Sequence, residues 1–260
     1  MVDFVCVIPA RLGSTRLPNK PLADIHGKPM VVHVAERARA SGANAVYVAT
    51  DHLDVQSACA AHGITALLTR EDHASGTDRI AEVAAQLGLN ADAIVVNVQG
   101  DEPLIAPSLI AAVARTLSES EDAVISTAAH AIDLAADFLS PNVVKVIVDH
   151  AGFAQYFSRS PIPYPRDDME TIAHAAANSQ PLPPLIQALR HVGIYAYRAS
   201  FLRQYATLQA APAEKLEALE QLRAMFYGYS IAVLNWQGGI APGVDTQTDL
   251  ERVRTLLAAA

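Results

Sequence analysis

Residues 3–10 read DFVCVIPA, a short apolar run that is rich in β-forming residues and reaches Pro9 near its end. A run of this length and composition, bounded by polar residues, predicts a buried strand. Residues 11–20 read RLGSTRLPNK, a polar loop that carries three cations, a glycine and hydroxyl side chains. The chain therefore begins with a strand that delivers basic side chains to one end of a sheet.

The same alternation of strands and helices continues to residue 122. Further buried strands are predicted at 45–50, 64–68 and 93–98, and helices at 29–41, 54–62, 78–87 and 107–117. Strands that are apolar on both faces and alternate with helices indicate the α/β class, with a mostly parallel central sheet covered by helices. Ligands bind beyond the carboxyl ends of such strands. Functional residues are therefore expected at Pro9-Ala10-Arg11, Thr50-Asp51 and Gln99-Gly100-Asp101.

Beyond residue 122 the pattern changes to shorter strands and fewer helices. Strands are predicted at 124–129, 143–148, 154–157, 192–197 and 231–235, and helices at 213–227 and 250–257. The strands at 143–148 and 154–157 can pair as a hairpin. Residues 167–187, which are polar and Ala-rich with three prolines, are predicted to form a mobile loop. We expect a single domain, 1–260, in three parts: 1–122, 123–235 and 236–260.

The net charge is uneven along the chain. Lys and Arg number 19 against 27 Asp and Glu, which gives a formal charge of −8 and a pI near 5.5. The first 30 residues nevertheless carry +2, from Arg11, Arg16, Lys20 and Lys28 against Asp3 and Asp24. An acidic chain binds nucleic-acid backbones and anionic membranes poorly, so neither partner is expected. A basic segment on an acidic protein suits a small anion instead.

The cysteines and the N-terminal sequence bear on the compartment. Cys6 lies in an apolar run and Cys59 in an Ala-rich segment, so both are predicted to be small buried hydrophobes. Two cysteines do not make a secreted disulfide framework. The N-terminal sequence has no basic region followed by a long apolar stretch, and no run of about 18 apolar residues occurs. We expect a cytoplasmic protein without a membrane span.

The loop at 11–20 is the strongest functional signal in the sequence. Glycine lets the backbone approach an anion closely, arginine adds forked donors and lysine adds a point charge. This spacing predicts a phosphate-binding loop, against the alternative of a solvated loop with ordinary surface arginines. The loop matches neither the GxGxxG fingerprint nor the P-loop, which argues against a nicotinamide dehydrogenase and an ordinary ATPase.

The stretch IPARLGSTRLPNKPL at 8–22 resembles the signature of the sugar nucleotidyltransferases. More narrowly, the chain resembles the 3-deoxy-manno-octulosonate (Kdo) cytidylyltransferases. The likeness extends through six further motifs in order: HASGTDR at 73–79, NVQGDEP at 97–103, YFSRSPIP at 156–163, HVGIY at 191–195, LEQLR at 219–223 and GVDT at 243–246. These motifs span nearly the whole chain.

The resemblance implies a fold, a reaction and an assembly. The fold would be a Rossmann-like sheet of the nucleotidyltransferase type, with a smaller β-hairpin subregion for dimerisation and sugar binding. The reaction would be CTP + Kdo → CMP-Kdo + diphosphate, which supplies activated Kdo for lipopolysaccharide assembly. Residues 1–122 would then be the CTP-binding half, 123–235 the sugar-binding and dimerisation insert, and 236–260 the segment with a metal-binding aspartate. A homodimer is implied, with the hairpin at 143–157 as its contact arm.

The same resemblance implies a set of nucleotide-binding residues: Ala10, Arg11, Ser14, Arg16, Lys20, Ser75, Gly76, Arg79 and Gln99. Arg11, Arg16 and Lys20 would hold the triphosphate and stabilise the departing diphosphate. Arg79 and Gln99 would recognise the base and the ribose. The segment at 75–77 also reads as a helix N-cap, a role that can coexist with nucleotide binding.

Metal binding is expected at Asp101 and Asp245, because Mg²⁺ prefers carboxylates together with phosphate oxygens and water. Without the resemblance, each residue has a structural alternative. Asp101 could be a turn residue between Gly100 and Pro103. Asp245 could assist the start of the last helix, where Thr246 and Asp249 read as a capping box.

The acid sugar needs a cation for its carboxylate and polar groups for its hydroxyls. The resemblance assigns the carboxylate to Arg159 and the hydroxyls to His191, Tyr195, Glu220 and Gln221. His191 and Tyr195 are four apart on a predicted strand, so they could equally be core-edge residues. Glu220 and Gln221 could be solvated positions on an amphipathic helix.

Two rival functions remain open at this point. One is a cytidylyltransferase for another acid sugar, such as amino-Kdo or a sialic acid. The other is a non-catalytic nucleotide-binding module, against which the presence of Asp101, Asp245 and Lys20 together argues. The other histidines show no zinc-ligand spacing, and no nucleophile elbow occurs, so hydrolysis is not supported.

Overall fold

The structure is a computed structural model that describes residues 2–13, 16–73 and 75–258. Its strands are β1 Phe4–Pro9, β2 Asp24–Ile25, β3 Lys28–Pro29, β4 Ala45–Thr50, β5 Thr65–Leu68, β6 Ile94–Asn97, β7 Ala123–Ala131, β8 Lys145–Val148, β9 Ala154–Ser158, β10 Leu189–Arg198 and β11 Ser230–Asn235. Its helices are α1 Met30–Ala40, α2 Leu53–Ala61, α3 Gly76–Gln86, α4 Pro107–Glu119, α5 Ala135–Leu139, α6 Met169–Ala177, α7 Ala199–Tyr205, α8 Pro212–Glu217, α9 Gln221–Phe226 and α10 Gln247–Ala258. A short 3₁₀ turn covers Lys20–Leu22.

The chain divides into two compact units. The first contains Met1–Glu119, Ile194–Thr207 and Gly238–Ala260, and the second contains Ser120–Gly193 and Leu208–Gln237. Strand β10 belongs to both, since the chain passes from the second unit to the first between Gly193 and Ile194. The division of the chain into three functional parts stays a prediction.

The first unit is built on a mostly parallel sheet. Strands β6, β1, β4 and β5 follow one another in parallel register, with Val7 paired to Asn97 on one side and to Tyr47 on the other. The end of β10 pairs with β6 in antiparallel sense. Strands β2 and β3 form a separate two-stranded antiparallel sheet. The α/β class with a mostly parallel, helix-covered sheet, predicted from the apolar strands, is confirmed.

Both cysteines lie in the interior of the first unit. Cys6 in β1 and Cys59 in α2 are free and buried. Burial raises the pKa of the Cys6 thiol to about 12 and that of Cys59 to about 11, because the thiolate would lose its hydration. Their prediction as small buried hydrophobes is confirmed.

The second unit contains the predicted hairpin. Strands β8 and β9 pair in antiparallel sense, with Val146 opposite Phe157, and β8 also pairs with the start of β10. Strands β11 and β7 pair in parallel. Phe157 is buried, whereas Tyr156 is 40% exposed on the neighbouring pleat.

The prediction of a mobile loop at 167–187 is wrong in part, because this segment contains α6. Ile172 and Ala175 lie on one face of this helix and pack into a cluster with Phe138 and Leu182. The Ala-rich composition suits a helix once this apolar face has a partner to bury it. After α6 ends at Ala177, the rest of this segment forms turns and one isolated bridge, and its three prolines lie in that part.

The prediction of a single helix at 213–227 is also wrong, since the chain forms α8 and α9 with a break between them. Ala218 ends α8 in the left-handed conformation, with φ at 49°. The expected apolar stripe is divided accordingly: Leu219 and Leu222 are buried, whereas Leu216 is 88% exposed. Helices α5 and α7 were not predicted.

No helix among the described residues is both long and apolar enough to cross a bilayer.

Candidate active site

The ends of β1 and β6 approach each other closely in the first unit. Ala10 is buried, and its N–H donates to Ala49 O at 2.8 Å, which fixes the exit of β1 against β4. Gly100, just after β6, lies so near that a Cβ at this position would stand 2.6 Å from Pro9 O. Only glycine permits this approach, because the neighbour is backbone and cannot move aside. Gly100 therefore sets the path of the loop that carries Asp101.

Asp101 and Asp245 are brought together by a backbone contact between their loops. The N–H of Val244 donates to Asp101 O at 2.8 Å. Gly243, directly before Val244, also faces this loop, since a Cβ there would lie 3.6 Å from Asp101 O. Two carboxylates far apart in the sequence thus project from adjacent loops.

Lys20 bridges these two carboxylates. Its Nζ donates to Asp101 Oδ2 at 2.6 Å and to Asp245 Oδ1 at 2.9 Å. Arg16 Nη2 also lies 3.1 Å from Asp245 Oδ1. The Lys20 side chain is only 15% exposed, whereas that of Arg16 is 67% exposed. The loop at 11–20 and both predicted metal ligands therefore meet in one cluster, which we call the Lys20 cluster: Arg16, Lys20, Asp101 and Asp245.

At the start of α10, the capping contacts are made by the side chains of Thr246 and Asp249 rather than by that of Asp245. Asp249 Oδ2 accepts from the N–H groups of Asp245 and Thr246, at 3.1 and 2.9 Å, and from Thr246 Oγ1 at 2.7 Å. The hydrogen bond from Thr246 lowers the pKa of Asp249. Thr246 and Asp249 thus form the capping box. The Asp245 side chain faces Lys20 and Arg16 instead.

Two other predicted nucleotide residues lie at the start of α3. Ser75 Oγ accepts from the N–H of Asp78 at 3.1 Å, so Ser75 is the N-cap of α3. Gly76 is the first residue of α3, and a Cβ there would be in ordinary contact with the Pro9 ring, at 3.7 Å. The nearness of Gly76 to Pro9 places the start of α3 at the carboxyl end of β1.

Three further predicted residues belong to the loops of the same unit. Arg11 is exposed directly after β1. Gln99 is partly buried in the loop after β6, and its carbonyl accepts from the N–H of Glu102 at 3.2 Å. Ser14 lies outside the described residues.

Arg79 is enclosed within the first unit rather than exposed. Its Nη2 donates to Asp51 Oδ2 at 3.0 Å, and its Nη1 donates to Thr69 Oγ1. The Arg79 side chain is 4% exposed and that of Asp51 is 16% exposed. The other oxygen of Asp51 accepts from the N–H of Leu12 at 3.3 Å. Asp51 lies in one of the three loops where the sequence predicts functional residues, although the sequence assigns it no particular role.

Glu102 has a strongly altered acidity beside the Lys20 cluster. Burial, and secondarily the charge of Asp101, raises the pKa of Glu102 to about 7. A carboxyl group with this pKa is partly protonated at neutral pH. Negative charge around Asp101 is correspondingly reduced.

Arg159, predicted to bind the sugar carboxylate, is tied to backbone carbonyls of the second unit. Its Nε donates to Glu217 O at 2.5 Å, its Nη1 to Pro141 O at 3.0 Å and its Nη2 to Ala218 O at 3.4 Å. A second cation lies behind it, because Lys145 Nζ donates to Arg159 O at 2.6 Å. The guanidinium thus fastens the turn between α8 and α9.

Lys145 itself is a buried cation held by backbone. Besides Arg159 O, its Nζ donates to the carbonyls of Ser140 and Val143, at 2.9 and 2.6 Å. Burial is the main cause that lowers the pKa of Lys145, since the charged form loses water. Three carbonyl acceptors compensate for that loss.

His191 and Tyr195 lie on β10. In the second unit, His191 Nε2 is 2.9 Å from Thr127 Oγ1, and its ring packs edge-on against Phe157 with centroids 5.1 Å apart. Burial lowers the pKa of His191 to about 3, so the imidazole is neutral near pH 7. In the first unit, Tyr195 is partly buried and stacks on Tyr197 with centroids 5.9 Å apart.

Glu220 and Gln221 lie at the start of α9 in the second unit. Glu220 is exposed, whereas Gln221 is only 7% exposed and its Nε2 has no hydrogen-bond partner among the residues that the structure describes. The position of α9 is secured by Arg223, whose Nε and Nη2 both donate to Glu214. A buried amide donor without an acceptor is costly, so Gln221 Nε2 marks a place where an oxygen would be favoured.

The Lys20 cluster fits a hard divalent cation. Asp101 and Asp245 supply carboxylate oxygens, the ligand type that Mg²⁺ prefers, and their loops are held together independently of Lys20. Within the described part of the chain, no group of three or more His, Cys, Asp or Glu residues is placed to hold a metal by itself. Two carboxylates are enough where phosphate oxygens and water complete the shell.

A parallel α/β sheet with a basic loop after β1 and paired aspartates at its carboxyl end defines an α/β nucleotidyltransferase. A family model described as "Cytidylyltransferase" matches residues 5–231. The chain belongs to this cytidylyltransferase family.

Individual relatives show which cytidylyltransferases this chain resembles. The chain is 59% identical over 254 residues to "3-deoxy-manno-octulosonate cytidylyltransferase" of Acidovorax sp. (strain JS42), covering 98% of this chain and 97% of the relative. It is equally similar, at 59% over 254 residues, to the protein of that name from Acidovorax ebreus (strain TPSY). A solved structure of "CMP:2-keto-3-deoxy-manno-octonic acid synthetase", complexed with CTP, matches with a TM-score of 0.86 and 44% identity over 99% of both chains.

A more distant structure shows the fold alone. A cytidylyltransferase from Leptospira borgpetersenii serovar Hardjo-bovis has a TM-score of 0.60 at 13% identity, covering 100% of this chain and 88% of that one. The architecture is therefore shared well beyond the range of clear sequence similarity.

Proposed function

We propose that the protein transfers CMP from CTP to the anomeric hydroxyl of Kdo, which yields CMP-Kdo and diphosphate. The observation that carries this proposal is the Lys20 cluster, in which Lys20 Nζ lies 2.6 Å from Asp101 and 2.9 Å from Asp245. The names of the two Acidovorax relatives support cytidylyl transfer to Kdo. The solved relative complexed with CTP supports the nucleotide.

The transfer is a displacement at phosphorus. The anomeric hydroxyl oxygen attacks the α-phosphorus of CTP, the bond from that phosphorus to the bridging oxygen of the β-phosphate breaks, and the hydroxyl proton is released. Arg11, Arg16 and Lys20 hold the β- and γ-phosphates and neutralise the charge that builds on the leaving diphosphate. The low exposure of Lys20 makes its charge more effective than that of a solvated lysine.

Asp101 and Asp245 would hold Mg²⁺ together with the phosphate oxygens. When bound, the ion supplies charge neutralisation at the phosphates and lowers the pKa of an attacking hydroxyl. The protein's own contribution is to fix both carboxylates, through the Val244–Asp101 backbone hydrogen bond and the Thr246–Asp249 cap.

Gln99 is proposed to recognise the base, since an amide offers both a donor and an acceptor to the edge of cytosine. A wrong base would leave such a buried group unpaired. Ala10, Ser14, Ser75 and Gly76 are proposed to line the nucleotide site. Arg79 supports it from within the fold, in keeping with its contacts to Asp51 and Thr69.

Four residues of the second unit are proposed to contribute to sugar binding: Arg159, His191, Glu220 and Gln221. Tyr195 of the first unit is proposed to contribute as well. Gln221 Nε2, which lacks an acceptor within the described part of the chain, supports a contact with a sugar oxygen. The three carbonyl acceptors of Arg159 use three of its five guanidinium N–H groups, so Nη1 and Nη2 each carry a second N–H that can donate to the Kdo carboxylate. Arg159→Ala is therefore expected to raise the KM for Kdo more than the KM for CTP.

We also propose a cytoplasmic homodimer with the β8–β9 hairpin at its contact. The exposed Tyr156 on β9 supports this, because an exposed aromatic residue on a strand favours pairing with another surface. Light scattering of the purified protein measures the oligomeric state, and Tyr156→Lys is expected to shift the dimer towards the monomer. Leu53→Lys, at an exposed position on α2, is the matched control.

The deciding experiment is diphosphate release from CTP with Kdo, amino-Kdo and sialic acid offered separately, with and without Mg²⁺. Release with Kdo above both other sugars is the expected result. Preference for amino-Kdo or sialic acid would assign a different acid sugar. CTP binding without release in any arm would identify a nucleotide-binding module instead.

A further inference from the structure

Asp51 joins the basic loop to the interior of the first unit. Its Oδ1 accepts from the N–H of Leu12 at 3.3 Å, and its Oδ2 accepts from Arg79 Nη2 at 3.0 Å. Leu12 directly follows Arg11. One carboxylate thus connects the backbone of the phosphate-binding loop with an arginine of α3.

Arg79 is held in place from its other side. Its Nη1 donates to Thr69 Oγ1, and both the N–H and the Oγ1 of Thr69 donate to Thr50 O, at 2.8 and 3.0 Å. Because Thr50 is the last residue of β4 and immediately precedes Asp51, these contacts form a closed ring. Neither Asp51 nor Arg79 can turn away without breaking several hydrogen bonds.

We propose that Asp51, held by Arg79, is a positioning residue that fixes the backbone at Leu12 and so presents Arg11 to the triphosphate. This inference rests on the proposed function, since it assumes that the loop binds CTP. Binding to a loop already held in shape avoids the entropy cost of ordering it in each encounter.

The charge balance explains why a carboxylate is tolerated near a triphosphate. An unpaired aspartate there would repel the nucleotide, whereas the nearby guanidinium of Arg79 neutralises it. Asp51 therefore acts through the Leu12 N–H and not as a nucleotide ligand.

The test compares Asp51→Ala, which removes both contacts, with Asp51→Asn, which keeps an oxygen acceptor for Leu12 N–H. For Asp51→Ala we expect the KM for CTP to rise about tenfold, equivalent to about 1.4 kcal/mol. The KM for Kdo and the turnover number should stay close to wild type. Amide hydrogen exchange of Leu12 should accelerate by a similar factor, while β4 and α3 stay protected. Asp51→Asn, whose NH2 group would face the donor Arg79 Nη2, should fall between Asp51→Ala and wild type in both properties.

Asp72→Ala is the matched control, because Asp72 forms an exposed pair with Arg70 in the same unit. Thr69→Val serves as a milder second variant. It leaves Asp51 intact but removes one anchor of Arg79, so Leu12 exchange should rise by a smaller factor.

Three outcomes would overturn the inference. Equal rises in both KM values would show a general loss of structure, and weaker CTP binding with unchanged Leu12 exchange would show direct nucleotide contact. If Asp51→Asn were as impaired as Asp51→Ala, the side-chain oxygen of residue 51 would not be what holds the Leu12 backbone. If wild type does not bind CTP, the proposed function fails, and Leu12 exchange alone decides whether Asp51 holds the loop.

Discussion

Lys20 is the residue on which the chemistry of the first unit converges. Its ammonium lies between two carboxylates, so it offsets their mutual repulsion while remaining close to where phosphates are expected. A divalent cation held by the same two carboxylates would repel the Lys20 ammonium group from its place between them. The backbone of Lys20 is fixed in the 3₁₀ turn, and its flexible four-carbon stem allows the ammonium group to move towards a phosphate.

Lys20→Met should lower turnover by about 10²–10³-fold, because a donor aimed at the leaving diphosphate is lost. Diphosphate release from CTP measures this. Lys28→Met is the control, since Lys28 forms an exposed pair with Glu36 and should stay within about twofold of wild type. A Lys20→Met enzyme close to wild type would refute the role of the Lys20 cluster.

Gly100→Ala should destabilise the protein by about 1–3 kcal/mol, because the new Cβ meets Pro9 O and the loop of Asp101 must shift. Urea denaturation measures the stability, and turnover should fall with it. Gly239→Ala is the matched control, as a Cβ there would meet no atom of the described residues within 4 Å. Equal stabilities for the two variants would contradict the close approach of β1 and the loop after β6.

At the scale of elements, the break between α8 and α9 shapes the second unit. The left-handed residue Ala218 ends α8, and its carbonyl accepts from Arg159 Nη2. The buried pair of Arg223 and Glu214 then joins the two helices, with 10% and 9% of the side chains exposed. The turn between α8 and α9 therefore orients both Arg159 and the start of α9.

Ala218→Gly should stabilise the protein by about 0.5–1 kcal/mol. Relief of the left-handed strain, about 1–2 kcal/mol, exceeds the entropy that glycine adds to the unfolded chain. Thermal unfolding measures the change. The same substitution at Ala206, which ends α7 in the right-handed conformation, should destabilise instead. Two shifts of the same sign would argue against strain at Ala218.

At the scale of the whole molecule, buried ionisable groups tie stability to pH in opposite directions. His191 has a lowered pKa, so the unfolded chain binds its proton first and stability is lost as pH falls from about 6.5 to about 3. Glu102 has a raised pKa, so the folded chain holds its proton and stability is lost as pH rises from about 4.5 to about 7. The two effects oppose each other between these limits.

The contribution of His191 is therefore measured as the difference in unfolding free energy between His191→Gln and wild type at each pH. Relative to wild type, His191→Gln should lose less stability on acidification below pH 6.5, by up to about 1.4 kcal/mol per pH unit. Denaturant midpoints across the pH range test this. His150→Gln, in the exposed turn between β8 and β9, should follow the wild-type profile. Parallel profiles for His191→Gln and wild type would exclude a neutral buried His191.

The parts of the fold that could be read from sequence are those governed by local pattern. Strand β4 was predicted to the residue, and β1, β6 and α1 within two residues, because apolar runs bounded by proline and glycine leave few alternatives. Helix α6 and the break at Ala218 were missed. The first depends on a distant apolar partner, and the second on a backbone conformation that alanine rarely adopts.

The sequence by itself determined the α/β class, the basic loop after β1 and the candidate aspartates, since all three follow from residue type and order. Only the tertiary structure placed Lys20 between Asp101 and Asp245, enclosed Arg79 against Asp51, and buried Gln221 Nε2 with no acceptor in the described parts of the chain. The physical reason is that side-chain pairing depends on distances across loops that are remote in sequence. Those distances are set by backbone contacts such as Val244 to Asp101 and Gly100 against Pro9.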